Sequence, residues 1–197
     1  MSFIPGSDVI LTAALSIFLF LALCAALVLI VVSLRRPSTL PLAVAAGLVV
    51  LSLVIVAVSP VNVPLLFGLI IALLAIVVAV LGGNPITRRI LEIATSGRVR
   101  ETADGGILVA AQGAGPDEPE RPMMRGGTVI GYLERLAVAI SILAGYPEAI
   151  AVVVAVKGIG RFSELASPEA RERFIVGTLA SLLWACVVGA LLHLAIW

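Results

Sequence analysis

The chain predicts an all-α fold, a polytopic transmembrane bundle of about six membrane segments in which segments four and five form a short hairpin. Three observations carry that reading. The composition is 61% hydrophobic and 13% charged, with a mean hydropathy of +1.19, whereas soluble domains run about 45–50% apolar and about 25% charged. Several uninterrupted apolar runs reach the about 20 residues that a helix needs to cross a hydrocarbon core of about 30 Å. The basic residues, all but Arg135, gather beside one set of ends of those runs.

The first run, Asp8 to Leu34, closes at Arg35-Arg36-Pro37. It lacks the basic leader of a signal peptide, contains Asp8 and is too long for an h-region. Leu23 is bulky where a lipoprotein box needs a small residue before Cys24, so the segment reads as a retained anchor. Leu40 to Val58 is the second run, ended by the turn Ser59-Pro60-Val61-Asn62. The third, Val63 to Leu81, is expected to stop at Gly82-Gly83-Asn84-Pro85, a run of helix-breaking residues. The fourth, Gly127 to Ala144, holds Glu134 and Arg135 in its interior; the fifth, Pro147 to Lys157, is short; the sixth, Phe174 to Trp197, is long and clean.

This divides the chain into a three-helix membrane half (1–83), a cytoplasmic loop that is partly linker (84–126), and a C-terminal membrane half with the charged cluster (127–197). Arg35 and Arg36 follow span one, six arginines lie between spans three and four, and Lys157, Arg161, Arg171 and Arg173 lie at or between segments five and six. Under the positive-inside rule these connections face the cytoplasm. Both termini then face outward across the cell's inner (plasma) membrane. Six crossings satisfy this arrangement, and so does a re-entrant hairpin made of segments four and five.

Within the loop, Ile86 to Ala94 is either an interfacial amphipathic helix or a continuation of span three. Val99 to Ala111 contains Asp104-Gly105-Gly106, a hairpin signal, and Gly113 to Gly127 has the composition of a disordered linker. The arginines here are matched by Glu92, Glu101, Asp104, Asp117, Glu118 and Glu120, and the loop has no aromatic residue. That excludes a nucleic-acid surface, which needs one-signed charge and stacking platforms. Anionic lipid headgroups near Arg88 and Arg89 are the natural partner.

Charges at membrane depth face a bundle interior or an aqueous route. The candidates are Glu134, Arg135 and Lys157. Neighbours on a helix point about 100° apart, so Glu134 and Arg135 are badly placed to pair with each other. Glu134 lies about 10 Å in from the cytoplasmic edge and Lys157 about 6 Å in, a difference that a lysine stem spans. The expectation is therefore a Glu134–Lys157 ion pair between segments four and five, with Arg135 turned toward Glu164, Glu172 or lipid phosphates. Such charges either fasten the hairpin at the headgroup boundary or line a functional pocket.

The last span carries Gly177, Ser181, Ala185, Gly189 and His193 at every fourth position, a stripe of mostly small side chains that lets another helix approach closely, within the protein or in a dimer. Enzyme chemistry finds no constellation. One histidine and two separated cysteines make no usual zinc set, and there is neither a P-loop nor a dinucleotide fingerprint, so no metal and no cofactor is expected. Ser181 and His193 stand about 18 Å apart along one helix and cannot form a catalytic pair. Cys24 and Cys186 read as small hydrophobes.

Three motifs follow one another in the C-terminal third: Gly131-Tyr132-Leu133-Glu134-Arg135; Glu148-Ala149-Ile150 with Lys157-Gly158-Ile159-Gly160-Arg161-Phe162; and Glu172-Arg173-Phe174-Ile175-Val176-Gly177-Thr178-Leu179-Ala180-Ser181. This order resembles the closing half of a bacterial, actinobacterial-type integral membrane protein family of unknown function. Its pattern is IGxLER, then a lysine and an Arg-Phe after a short apolar run, then a GTLxS helix start. The resemblance implies that Glu134, Arg135, Lys157, Arg161 and Glu172 form one site or structural knot. Taken together, the sequence points to a non-enzymatic assembly or regulatory module whose partners are membrane lipids and itself or another membrane protein. The alternative is a small transporter or channel subunit that uses the Glu134/Arg135/Lys157 cluster.

Overall fold

The computed structural model describes residues 5–35, 38–94, 100–101, 107–108, 127–160, 162 and 168–197. The fold is all-α. Its helices are α1 (Pro5–Arg35), α2 (Thr39–Val58), α3 (Leu65–Ala94), α4 (Gly127–Leu143), α5 (Ala149–Gly160) and α6 (Pro168–Ile196). Between α3 and α4, β1 (Arg100–Glu101) pairs antiparallel with β2 (Ile107–Leu108); the Asp104-Gly105-Gly106 turn expected between them lies outside the described residues. The linker expected over 113–126 lies outside the described residues.

Four helices, α1, α2, α3 and α6, are long and apolar enough to cross a membrane. They form a ring in which α1 packs on α2 and α3, and α6 packs on α2 and α3. The α4 helix lies in the groove between α3 and α6, and α5 packs on α4. In lipid the hydrophobic effect does not press helices together, so close backbone approach and polar contacts must do it. The buried face of α3 accordingly reads Gly68, Ile71, Ala72, Ala75, Val78, Ala79, Gly82 and Gly83. Large side chains such as Leu66, Leu69 and Leu73 point outward. Serine hydroxyls at this depth are satisfied on their own helices: Ser52 donates to the Leu48 carbonyl at 2.8 Å and Ser141 to that of Ala137 at 2.7 Å, the local back-bond that serine makes to the preceding turn.

The turn after α2 is where the sequence puts it. Ser59 and Val61 close it locally, and the Val63 amide donates to the Ala195 carbonyl at 2.8 Å, tying the start of α3 to the end of α6. The end of α3 is not where the sequence puts it. The helix runs without interruption through Gly82-Gly83-Asn84-Pro85 to Ala94, so the second reading of Ile86 to Ala94, continuation of span three, is the correct one. A helix ending at Leu81 would leave its last four carbonyls without donors, and in lipid each unmet group costs several kcal/mol. Carrying on through Pro85 forfeits a single helix bond. Side chains from other helices also reach this stretch: Trp184 Nε1 donates to the Val78 carbonyl at 3.3 Å and Arg135 Nε to that of Val80 at 2.9 Å.

The α4–α5 connection ends in a Schellman arrangement. Gly145 takes φ +72°, a left-handed conformation that glycine adopts without a Cβ clash. Its amide donates to Ile142 at 3.0 Å while the Tyr146 amide donates to Ser141 at 2.8 Å, which satisfies two terminal carbonyls of α4. At 17 and 12 residues, α4 and α5 are about 25 Å and about 18 Å long. α4 stands at the lower bound of the about 17–25 residues that a crossing takes, and α5 falls short of it. Ile142 lies against Gly189, and the turn at Gly145-Tyr146, three to four residues further on, sits about 5 Å short of the end of α6 at Ile196.

Candidate functional site

Bringing α4 into the α3–α6 groove requires a gap in the wall of α3, and Gly82-Gly83 is that gap. A Cβ on Gly82 would stand 2.8 Å from Trp184 Nε1 and Cζ2. A Cβ on Gly83 would fall on the Arg135 Cδ, Nε and Cζ atoms. One bare position therefore receives an indole and the next a guanidinium.

Arg135 is 2% exposed. Its Nε donates to the Val80 carbonyl at 2.9 Å, Nη1 to Ser181 Oγ at 2.8 Å, and Nη2 to Asn84 Oδ1 at 2.7 Å. The Tyr132 ring lies 5.4 Å from the guanidinium carbon, within cation–π range. The fork thus binds α4 to α3 and α6 at once, using the several fixed N–H directions that distinguish arginine from lysine. Gly131, one turn earlier on α4, leaves room for Nη1. The expectation that Arg135 turns toward Glu164, Glu172 or lipid phosphates is corrected by this geometry. A buried charge needs acceptors that replace the hydration it has lost, and the neutral acceptors beside Gly83 lie directly across the α3–α4 contact.

Glu134, on the adjoining face of α4, points to α5. Lys157 Nζ meets its Oε2 at 2.5 Å, with the lysine side chain 15% exposed and the glutamate 8%. The pair inferred from depth is therefore present. The hairpin that carries it also packs through Val138 against Ile150 and Val153.

The other residues of the inferred cluster are placed differently. Arg161 lies outside the described residues. Glu172 is exposed on the early turns of α6, about 13 Å along the helix from Ser181, and does not enter the Arg135 cage. The stripe of α6 faces inward: Gly177 meets Thr87 and Leu91 of α3, Ser181 holds Arg135, Ala185 is fully buried beside Val138 and Leu182, and Gly189 accepts Ile142 and Ala139 of α4. Its close approach is thus made within the chain. His193 is half-buried, and its Nδ1 is buried with no hydrogen-bond partner among the described residues. Cys24 and Cys186 are free and half-buried.

Sequence reasoning missed Gly82, Gly83, Asn84, the Val80 carbonyl and Trp184. The signal that could have found them is the small-residue spacing Gly68, Ala72, Ala75, Ala79, Gly83 on α3, the same pattern that α6 displays. No protein-family model, curated protein or solved structure matches this chain.

Proposed function

We propose that this chain is a non-enzymatic membrane module with an assembly or regulatory role, in which a buried polar knot holds a short hairpin against a four-helix ring. The observation that carries this reading is the Arg135 fork, buried and bonded to Val80, Asn84 and Ser181 on two other helices. A guanidinium so tightly held serves as a clamp between helices. The working surfaces are then the hairpin, whose α5 buries no residue and leaves Val152, Val156 and Ile159 exposed, and the cytoplasmic connection that follows α3, residues 95–126. Its partners are membrane lipids and a second membrane protein or another copy of itself. The charge distribution supports a plasma-membrane protein with both termini extracytoplasmic, and the motif order of the C-terminal third supports kinship with the bacterial family it resembles. The test is photo-crosslinking in intact membranes from probes at Val152 and Val156. A protein adduct of defined mass is the expected result, and lipid adducts alone would overturn the reading.

A second reading, a small transporter or channel subunit, is favoured by one observation. Glu134 Oε1, Thr87 Oγ1 and Thr178 Oγ1 are buried without hydrogen-bond partners among the described residues. Unmet buried oxygens of this kind are commonly served by internal water. Solute or ion flux into proteoliposomes that is lost in Glu134→Gln and Lys157→Met would establish this reading in place of the first.

A further inference from the structure

Three side-chain oxygens at the basic end of the α3–α4–α6 contact are buried without a hydrogen-bond partner among the described residues: Glu134 Oε1, Thr178 Oγ1 and Thr87 Oγ1. Glu134 and Thr178 are each 7% exposed. Hydroxyls elsewhere in the bundle behave differently. Ser16, Ser52 and Ser141 each donate to the carbonyl four residues back on their own helix, and threonine has the same recourse in a helix. Thr87 and Thr178 forgo it, so their hydroxyls stay available to something beyond their own backbone.

The packing brings these oxygens to one level. The α4 and α6 helices run parallel, since Ser181 meets Arg135 and Gly189 meets Ile142. Val138, Leu182 and Ala185 form an apolar layer with Ile150 and Val153. One turn from that layer toward the basic end come Glu134 on α4, Thr178 on α6 and Lys157 on α5. Thr87 of α3 meets the same level from the other side, its methyl carbon 3.6 Å from where a Cβ on Gly177 would stand. Away from the basic end, the apolar layer and the Arg135 cage seal the site. Toward it, Arg88 and Arg89, which follow Thr87, are exposed.

The charge of this level decides what it takes. Glu134 precedes Arg135 in the chain and is bonded to Lys157, so a metal cation would stand beside two positive charges and an anion beside a carboxylate oxygen. Either is repelled with little screening at this depth. A neutral molecule that donates to the carboxylate and exchanges hydrogen bonds with the hydroxyls meets every requirement. We propose that Glu134 Oε1, Thr178 Oγ1 and Thr87 Oγ1 line a site for internal water that opens only toward the basic ends of the membrane segments. Water there returns part of the hydration that the Glu134 carboxylate loses on burial. This deepens the second reading, on whose hydrated oxygens it rests: the occupant is a neutral hydroxylic molecule rather than an ion, and the vestibule stops at the Val138 layer.

The direct test is a crystal structure of the full-length wild type grown from lipidic mesophase with rubidium bromide. Water density within hydrogen-bond distance of Glu134 Oε1 and Thr178 Oγ1, without anomalous signal, is the expected result. A rubidium or bromide peak on these oxygens, or protein atoms of another segment as their partners, would overturn the proposal. In solution, Thr178→Val keeps the side-chain shape and removes the hydroxyl. It is expected to lower the unfolding midpoint in detergent by about 2–4 °C, the scale of one hydrogen bond in a chain of this size. A dry, unmet hydroxyl gives the opposite sign, because its burial is a penalty that valine lifts, so a raised midpoint would also overturn the proposal. Solute flux into proteoliposomes is a separate readout: a hydrated site without flux would sustain this inference and remove the second reading.

Discussion

The side chain of Arg135 lies across the backbone of Gly83, so close that a methyl group at position 83 would occupy the space of the guanidinium stem. The two residues stand on different helices, and neither arrangement makes sense without the other. Gly83→Ala should therefore force α4 away from α3, with a loss of about 1–3 kcal/mol or more, the range for overpacking a tight core. Gly47→Ala on α2, where a Cβ meets nothing within 4 Å, should be neutral or stabilising by about 0.5–1 kcal/mol. Thermal unfolding of the two variants in the same detergent compares them directly; equal midpoints would contradict the packing argument.

Removing the fork should be worse than trimming one of its acceptors. Arg135→Lys keeps the charge and loses the geometry that reaches Val80, Asn84 and Ser181 together. It should destabilise by about 3–5 kcal/mol, as breaking a buried charged contact does. Ser181→Ala removes one acceptor and should cost about 1–3 kcal/mol. Denaturation in mixed micelles would report both values, and a lysine variant as stable as wild type would show that the guanidinium is not a clamp.

The Glu134–Lys157 pair should behave as a coupled unit. Glu134→Gln or Lys157→Met alone strands the partner at low exposure and should cost about 3 kcal/mol. The double variant should recover most of that loss, giving an interaction energy in the about 0.5–3 kcal/mol range seen for residues in contact. Simple additivity of the two single changes would mean that the hairpin is held by its apolar contacts alone.

The hairpin turn should sit within the membrane rather than reach the far surface. Tyr146 is exposed from the protein, yet the turn stops about 5 Å short of the end of α6. With Cys24 and Cys186 replaced by alanine, Tyr146→Cys should resist a membrane-impermeant thiol reagent applied from either side, whereas Trp197→Cys should react from one side. Rapid labelling at position 146 from the side of Trp197 would establish two full crossings in place of the hairpin.

Much of this arrangement was legible in the chain. Apolar length and arginine placement are local properties of the sequence, so the positions of α1, α2 and α6 could be read off directly. The Glu134–Lys157 pair was legible too, because a short hairpin places residues by counting from a single turn. The α6 stripe was readable as a packing surface, but its partner was not. Whether Ser181 faces a second copy or Arg135 depends on where α4 lies.

By itself, then, the sequence determined which segments are greasy enough for lipid, which ends carry positive charge, and that charges lie at depth, because transfer from water to hydrocarbon depends on composition along the chain. Only the tertiary structure decided that α3 continues through Gly82-Gly83-Asn84-Pro85 and that Arg135 turns inward. Glycine and proline end helices where water can satisfy the freed carbonyls. Beside α4 and α6 there is a Trp184 indole and an Arg135 fork instead, and those donors come from residues more than fifty positions away.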